Sequence, residues 1–272
     1  MFLITGATGG VGREAVHLLA RAGAEVTAVT RDPSAAAPVD GVRFVRPAEA
    51  LSLDGIEGAL ISPRAAGPDL GALLARARDR VVLLSALTVA SPAGEPRFRA
   101  GFEAAEHAVT AAARTWTILR GADYAANTLA WAGQLTATGT VRGAYALART
   151  STVDERDIAA VAVLALTTPG HAGRHYTLTG PESLSQPEKV AVIGAATGRD
   201  LTFTEVGPEA VRRGMRAAGL PDEIPDRLLG SLADYARAAG PTTGTVRDLL
   251  GRPARTYAEW AIAHRAAFAG NS

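Results

Sequence analysis

The sequence contains no cysteine. Disulfide bridges, thiolate nucleophiles and cysteine-ligated metals are therefore excluded, whatever the fold. Histidine does not replace cysteine as a ligand set, because the closest pair in sequence, His171 and His175, flanks Gly173 in a predicted loop. We expect no metal site.

Lysine is nearly as scarce, since Lys189 is the only lysine among 28 basic residues. Schiff-base chemistry would have to use this side chain, which we predict on a surface helix that follows Pro187. The usual catalytic Tyr-x-x-x-Lys pair is impossible, because no tyrosine has a lysine four residues later. The tyrosines are Tyr124, Tyr145, Tyr176, Tyr235 and Tyr257.

Excess charge and long apolar runs are also missing. The 28 Lys and Arg residues balance 27 Asp and Glu residues to a net charge of +1, so nothing favours a nucleic-acid or membrane partner. No apolar run approaches the ~20 residues that span a bilayer, and the first residues form a predicted strand rather than a basic leader. We expect a cytoplasmic protein with a small-molecule substrate, and the oligomeric state stays open.

What the sequence does contain is a glycine-rich turn at its start. An apolar strand, Phe2–Thr5, runs into glycines spaced three apart, and Arg13–Ala22 has the pattern of a helix. Such a turn presents backbone N–H groups to a phosphate, and glycine allows close approach to a pyrophosphate. An ordinary strand-to-helix turn is the alternative. The predicted cofactor-binding residues here are Gly6, Thr8, Gly9, Gly10, Val11 and Gly12.

Strands and helices alternate through the first half of the chain. The strands are apolar without regular alternation, which is typical of a parallel sheet buried on both faces. This pattern favours an α/β fold, a Rossmann-type doubly wound parallel sheet with a smaller, mainly helical C-terminal cap. We place an NAD(P)-binding domain at residues 1–179 and a substrate-binding cap at residues 180–272, packed as one compact unit.

The bounds of these elements follow from apolar runs and from glycine and proline. Further predicted strands are Glu25–Thr30, Val42–Val45, Ala59–Ser62, Val81–Ser85, Trp116–Leu119, Tyr176–Thr179 and Leu201–Val206. Further predicted helices are Asp69–Ala77, Ala100–Ala113, Asp157–Leu166 with Asp154 as its N-cap, Gln186–Thr197, Pro208–Ala218, Ile224–Ala239 and Tyr257–Phe268.

The end of the second strand carries the cofactor preference. Thr30 stands where NAD-specific sites usually have an acid for the ribose 2′-OH, and Arg31 follows it. A guanidinium can hold a 2′-phosphate with two hydrogen bonds, whereas an acid would repel it. The pattern therefore favours NADP(H) over NAD(H). Asp32 is the competing signal, because its distance from Gly12 suits a ribose acid, although an Asp-Pro pair is more typical of a turn.

Ligands of such sheets bind at the carboxyl ends of the strands. Ser62 and Pro63 end the fourth strand, and Ser85 and Ala86 end the fifth. We expect these four residues to border the nicotinamide half of the cofactor. Alternatively, these residues are polar only because βα loops usually are. For Thr88, this explanation and a place beside the nicotinamide are equally favoured.

A second candidate site follows the sixth strand. Tyr124 and Asn127 are three residues apart, so on a helix they would share one face, near the substrate end of the cleft. Tyr124 could donate a proton or bound the pocket, and Asn127 could orient a carbonyl. Packing and helix capping are the alternatives. His107, one turn from Glu103, could be a general acid, although such pairs more often form a solvated helix face.

Segments spread over nearly the whole chain carry a family resemblance. They are Gly6-x-x-Gly9-x-x-Gly12, Thr30-Arg31-Asp32-Pro33, Thr117-Ile118-Leu119-Arg120, Val153-Asp154-x-Arg156-Asp157-Ile158-Ala159, His171-Ala172-Gly173-Arg174-x-Tyr176-x-Leu178-Thr179-Gly180-Pro181-Glu182, and Gly251-Arg252-Pro253 followed by Ala258-Glu259-Trp260. Their combination resembles the NmrA-like branch of the atypical short-chain dehydrogenases/reductases, and in particular its NADPH-dependent quinone oxidoreductase-like members.

The resemblance implies a dinucleotide at Gly6 to Gly12, Arg31 near the adenosine phosphate, and a substrate cleft between core and cap. It implies a reductase or a regulator that senses NADP(H) without catalysis. The chain departs from the family pattern at two places. Arg46-Pro47-Ala48 replaces a Gly-Asp pair that helps to hold adenine, and Phe102 replaces a basic residue on the helix before the sixth strand.

The missing Tyr–Lys pair narrows the predicted reaction. A simple ketone would lack help at its developing alkoxide, whereas a quinone, enone or iminium delocalises or neutralises the accepted charge. Positioning of donor and acceptor alone can supply much of the rate. We therefore predict an NADPH-dependent oxidoreductase that transfers hydride to a conjugated acceptor, with Tyr124 or water as proton source. A non-catalytic NADP(H) sensor and a redox-neutral member are the alternatives.

Overall fold

The computed structural model describes residues 1–77 and 79–269. Its strands are β1 (Phe2–Thr5), β2 (Val26–Val29), β3 (Val42–Val45), β4 (Gly58–Ile61), β5 (Val81–Ala86), β6 (Trp116–Gly121), β7 (Thr140–Gly143), β8 (Arg174–Leu178) and β9 (Thr202–Glu205). They form a seven-stranded sheet in the order β3-β2-β1-β4-β5-β6-β8 and a two-stranded sheet of β7 and β9. All of these pairings are parallel.

The strand order reverses beside β1. The chain first builds outward through β2 and β3, and then returns to the other side of β1 with β4. In the register, Phe2 pairs with Val26 on one side and with Gly58 on the other. The carboxyl ends of β1 and β4 therefore form the switch point at which such sheets bind ligands. The predicted Rossmann-type fold is confirmed.

Helices cover both faces of the large sheet. They are α1 (Gly10–Arg21), α2 (Pro47–Ala50), α3 (Pro63–Ala66), α4 (Leu70–Arg76), α5 (Pro96–Ala112), α6 (Ala132–Thr138), α7 (Glu155–Thr167), α8 (Gln186–Thr197), α9 (Pro208–Ala217), α10 (Glu223–Arg237), α11 (Thr245–Leu250) and α12 (Tyr257–Ala263). Short 3₁₀ segments occupy Pro33–Ala35, Gly67–Asp69, Leu87–Val89, Ala125–Trp131 and Arg265–Phe268. Within the described residues, none of these helices has the length and apolar character needed to cross a membrane.

Successive side chains of β1 serve two different cores. Ile4 packs into a cluster with Leu19 of α1 and Ile158 of α7. Leu3 points to the other face and joins Val109 of α5. Because both faces are buried, apolar residues are favoured at every position, and this explains why the strands lack polar alternation.

Several predicted helix bounds need correction at their first or last turn. Helix α1 begins at Gly10 rather than Arg13, so the glycine turn itself supplies the first helical residues. Helix α5 begins at Pro96 rather than Ala100, because proline fits the first helical position and the Glu95 carboxylate accepts from the Arg97 N–H. The last helix ends at Ala263 and is followed by a 3₁₀ segment.

The cap has a core of its own, built around the buried aromatic side chains of Tyr257, Trp260 and Phe268. Strand β7, which the sequence analysis missed, pairs with β9, and Val141 and Leu135 from the earlier part of the chain join this core. The division into a domain of residues 1–179 and a cap of residues 180–272 stays a prediction. Side chains from residues 125–143 belong to the same core as those of the later segment.

Candidate functional site

The glycine turn lies at the switch point between β1 and β4. Gly6 has a φ of +64°, which side chains disfavour, and its carbonyl accepts from the Gly9 N–H at 2.9 Å. The turn is tied to β4, because the Ser62 N–H donates to the Thr5 hydroxyl at 2.7 Å. Ser62 and Pro63 therefore border the turn.

Gly12 is the glycine with the strictest steric requirement in this turn. A Cβ at this position would lie 2.2 Å from the carbonyl oxygen of Gly6. The first turn of α1 carries no acidic side chain and no side-chain cap from the described residues, so its N–H groups and the positive dipole end stay open. Thr8, Gly9 and Gly10 are exposed beside it. This cradle fits the pyrophosphate of a dinucleotide.

The ends of β2 and β3 place two arginines side by side. The Thr30 N–H donates to the Val45 carbonyl at 3.0 Å, so Arg31 and Arg46 leave the sheet as neighbours. Both are exposed. The sequence analysis considered Arg46 only as a departure from a family pattern. The structure makes it a second exposed cation beside the end of β2.

Asp32 belongs to the following turn. Its carboxylate accepts from the Ser34 N–H at 3.1 Å and from the Ser34 hydroxyl at 2.6 Å. These hydrogen bonds, together with the charge of Arg46, lower the pKa of Asp32. The carboxylate thus caps the Pro33–Ala35 turn, in agreement with the turn interpretation of the Asp-Pro pair.

Two buried hydroxyl groups lie at or just after the end of β5. One is hydrogen-bonded to a side chain, and the other has no hydrogen-bond partner among the described residues. Ser85 is buried and donates to Glu106 of α5 at 2.5 Å, and Glu106 also pairs with Arg120 at 2.6 Å. Burial would raise the pKa of Glu106, but the hydrogen bonds from Arg120 and Ser85 lower it below its usual value. Ala86 follows at the strand end. The buried Thr88 hydroxyl has no hydrogen-bond partner among the described residues, which fits a site completed by a bound polar group.

Tyr124 and Asn127 do not share a helical face, contrary to prediction. Tyr124 has an extended backbone and precedes the 3₁₀ segment Ala125–Trp131. Its ring packs on Gly121, where an added Cβ would lie 2.5 Å from Cε1. Burial, with a smaller contribution from the charge of Glu155, raises the pKa of Tyr124. The exposed Asn127 instead donates through Nδ2 to Asp123 at 2.9 Å.

Lys189 is buried, which corrects the prediction of a surface lysine. Only 1 % of its side chain is exposed, and Nζ lies 2.8 Å from Asp123 Oδ2 and 2.6 Å from Thr150 Oγ1. Burial would raise the pKa of Asp123, but the charge of Lys189 and the surrounding hydrogen bonds lower it. The sequence signal was the i,i+4 spacing to Ile193, which places Lys189 on the buried face of α8.

Glu155 is a further buried carboxyl that sequence reasoning missed. It accepts from the Ala126 N–H at 2.7 Å and from the Trp260 indole N–H at 3.1 Å. Its Cγ lies 3.0 Å from the position of a Cβ on Gly10, so it stands directly behind the glycine turn. Burial raises its pKa above the usual value.

A cleft of about 630 Å³ opens from Pro63, between α5 of the core and α10 of the cap. Just before α5, the Gly94 N–H donates to Asp234 of α10 at 2.7 Å. The volume lies within the roughly 300–1,000 Å³ of small-ligand sites. Other lining residues are Arg64, Glu95, Arg97, Phe98, Gly101, Phe102, Glu223, Ile224, Asp226 and Arg227.

The glycine turn lies in a segment that matches a known protein family. The NAD dependent epimerase/dehydratase family matches residues 2–60. This segment contains β1, the glycine turn, β2, β3 and all but the last residue of β4.

Two curated relatives match almost the full chain. One is the (4-alkanoyl-5-oxo-2,5-dihydrofuran-3-yl)methyl phosphate reductase of Streptomyces griseus, 36% identical over 281 residues, which cover 99% of each chain. The other is the NAD(P)H azoreductase of Xenophilus azovorans, 33% identical over 293 residues, with 98% of this chain and 99% of the relative covered.

Among solved structures, an NADPH-dependent quinone oxidoreductase of Escherichia coli complexed with NADPH has the same fold. It superimposes with a TM-score of 0.81 at 23% identity, and the match covers 97% of this chain and 99% of the other.

Proposed function

The chain belongs to the NmrA-like branch of the atypical short-chain dehydrogenases/reductases and is an NAD(P)H-dependent oxidoreductase, and on this premise we propose that it reduces a conjugated small-molecule acceptor with NADPH. Quinones, enones and iminium ions are the acceptor classes that fit. The observation that carries the proposal is the cradle at the switch point, where Gly12 leaves no room for a side chain beside the Gly6 carbonyl.

The preference for NADPH over NADH is supported by charge at the adenosine end. Arg31 and Arg46 are adjacent and exposed there, and Asp32 is engaged with Ser34. Two guanidinium groups attract a 2′-phosphate, and the Asp32 carboxylate, which follows Arg31 in sequence, is turned to its own cap. In this proposal both arginines bind the 2′-phosphate.

Residues at the ends of β4 and β5 border the nicotinamide half of the cofactor in this proposal. They are Ser62, Pro63, Ser85 and Ala86. The unsatisfied hydroxyl of Thr88 supports a polar ligand group nearby. NADPH, when bound, supplies the hydride.

The acceptor must need little acid catalysis. The ammonium group of Lys189 is buried against Asp123 and Thr150, and among the described residues no tyrosine is its hydrogen-bond partner. The Tyr124 phenol is protonated near neutral pH and can donate a hydrogen bond, and burial raises its pKa and so makes it a weaker acid. Asn127, held by Asp123, orients the acceptor carbonyl, and Tyr124 or water provides the proton.

The names of the two curated relatives support this acceptor class. The Streptomyces name describes an oxo-dihydrofuran with an alkanoyl substituent, and the Xenophilus name describes an azo acceptor. Both are electron-poor π systems rather than isolated ketones.

The test is the loss of nicotinamide absorbance when the protein and NADPH are mixed with a quinone, an enone, an azo dye and cyclohexanone. We expect turnover with the conjugated acceptors and at most a trace with cyclohexanone. Preferred reduction of cyclohexanone would contradict the proposal. Tight NADPH binding with no turnover of any acceptor would favour the non-catalytic sensor instead.

A further inference from the structure

The cleft beside Pro63 is lined by three arginines from three elements. Arg64 is in α3, Arg97 is in the first turn of α5, and Arg227 is in α10. They converge on one space although they come from distant parts of the chain. Arginines repel one another, so such an arrangement costs free energy unless an anion joins it.

None of these three guanidinium groups forms an ion pair within the described part of the protein. Across residues 1–77 and 79–269, no carboxylate lies within 4.0 Å of a guanidinium nitrogen of Arg64, Arg97 or Arg227. Several other arginines of the cap do form ion pairs, as the Arg216–Asp222 contact illustrates.

Three acids also line the cleft, namely Glu95, Glu223 and Asp226. Asp226 forms an ion pair with Arg212, outside the cleft. Glu95 caps α5 by accepting from the Arg97 backbone N–H. Three arginines therefore face two acids, Glu95 and Glu223, that have no ion-pair partner within the described residues.

Arg227 is the best positioned of the three. Its guanidinium carbon lies 4.8 Å from the centre of the Phe98 ring, and the Phe98 and Phe102 rings meet edge to face at 5.0 Å. Stacking holds the guanidinium plane while its N–H groups stay available. Partial burial and the nearby charge of Arg64 lower the pKa of Arg227, while the charge of Glu223 opposes this shift.

We propose that Arg64, Arg97 and Arg227 form an anion subsite that binds a phosphate monoester group on the acceptor. Phe98 and Phe102 contact the apolar part of the same molecule. This inference deepens the proposed function and rests on it, because it names the chemical class of the substrate. A dianionic phosphate matches clustered guanidinium groups, which bind it through paired hydrogen bonds.

The phosphates of the cofactor have a different place in the proposed complex. The pyrophosphate is served by the N-terminus of α1, and the 2′-phosphate by Arg31 and Arg46. The cleft instead lies between α5 and α10, so its anion belongs to the second substrate.

The binding test uses the protein saturated with NADP⁺ and calorimetric titration with benzyl phosphate, benzyl alcohol and inorganic phosphate. We expect benzyl phosphate to bind at least about tenfold more tightly than either of the others, since it alone uses both the arginines and the aromatic rings. Arg227→Gln and Arg64→Gln should each reduce that preference about tenfold or more. Arg213→Gln, at an exposed arginine of α9 outside the cleft, is the matched control and should change nothing.

Equal binding of benzyl phosphate and benzyl alcohol would overturn the subsite. So would Arg227→Gln and Arg64→Gln variants that keep the preference intact, or that weaken NADP⁺ as much as benzyl phosphate, because the arginines would then serve the cofactor. A kinetic arm compares a hydroxymethyl enone with its phosphate monoester, and the lower KM should belong to the phosphate. If neither enone turns over while the calorimetric preference persists, the proposed reduction fails and the anion subsite stands.

Discussion

The glycine turn and the loop after β6 both lie beside Glu155, yet they are built in opposite ways. The turn uses backbone groups within seven residues, and its defining contact is the close approach of Gly12 to the Gly6 carbonyl. The loop uses charged side chains, and its central contact joins Asp123 to Lys189, 66 residues later in the chain.

This difference separates two kinds of function. In the proposed complex the turn binds the pyrophosphate through its shape and its open N–H groups, so steric changes should damage it. The loop holds Asn127 and the cap in place through charge, so a change of charge should damage it while NADPH binding persists. Each prediction below tests one side of this contrast.

The largest effect is expected from Lys189→Met, which leaves Asp123 without its cation. Breaking a buried ion pair costs about 3–5 kcal/mol, and the lower end applies because the Asp123 side chain is 25% exposed. Chemical denaturation should show this loss of unfolding free energy. The double variant Asp123→Asn/Lys189→Met should recover much of it, and no recovery would show that the lysine acts without Asp123.

Arg31→Ala should weaken NADPH binding roughly 10- to 100-fold and leave NADH nearly unchanged, since a charge-assisted hydrogen bond contributes about 1.5–3 kcal/mol. Fluorescence titration with both cofactors measures this. Arg21→Ala, at an exposed arginine in the last turn of α1, is the control. Equal losses for NADPH and NADH would contradict the assignment of the 2′-phosphate to this end.

Gly12→Ala should weaken NADPH and NADH alike, because the added methyl group pushes the turn away from its phosphate-binding shape. Overpacking of this kind costs about 1–3 kcal/mol, or roughly 5- to 150-fold in affinity. Gly71→Ala is the matched control, because a Cβ on this helical glycine meets no atom within 4 Å. A variant that binds both cofactors normally would show that the backbone cradle is not the cofactor site.

The smallest effect concerns Glu155 and pH. Its pKa is raised by burial above the ordinary value of 4.5, so the folded protein holds this proton more tightly than the unfolded chain. The stability that results is complete below pH 4.5 and is lost as pH rises through the folded pKa. Melting temperatures of the wild type relative to Glu155→Gln should therefore fall as pH rises from 4.5. A constant or rising difference would show that the carboxyl is already ionised.

The glycine turn could be predicted from the sequence better than the loop after β6, for a physical reason. The glycine spacing, the strand before it and the helix after it are local, and the fold class follows from apolar runs that need burial on both sides. The bounds of β3 and α8 were predicted to the residue, because apolar runs and proline define them. The start of α1 was missed, because glycine gives no helical signal even where the backbone is helical.

The long-range contacts carried no such signal. Lys189 was predicted at the surface, since a lone lysine on a helix is usually solvated, and its partner Asp123 is distant in sequence. The convergence of Arg64, Arg97 and Arg227 also depends on how α10 docks against the loop at Gly94. Strand β7 was missed because its four residues make sense as a strand only beside β9.

The sequence by itself determined the parallel α/β fold, the cradle for a dinucleotide and the absence of a Tyr-x-x-x-Lys pair. These depend on residue type and short spacing, which fix backbone conformation directly. Only the tertiary structure decided which charges are paired, which face the cleft and which are buried. Interactions between charges depend on the distances between side chains from separate elements. Burial strengthens them by lowering the local dielectric constant, and neither distance nor burial can be read from sequence position.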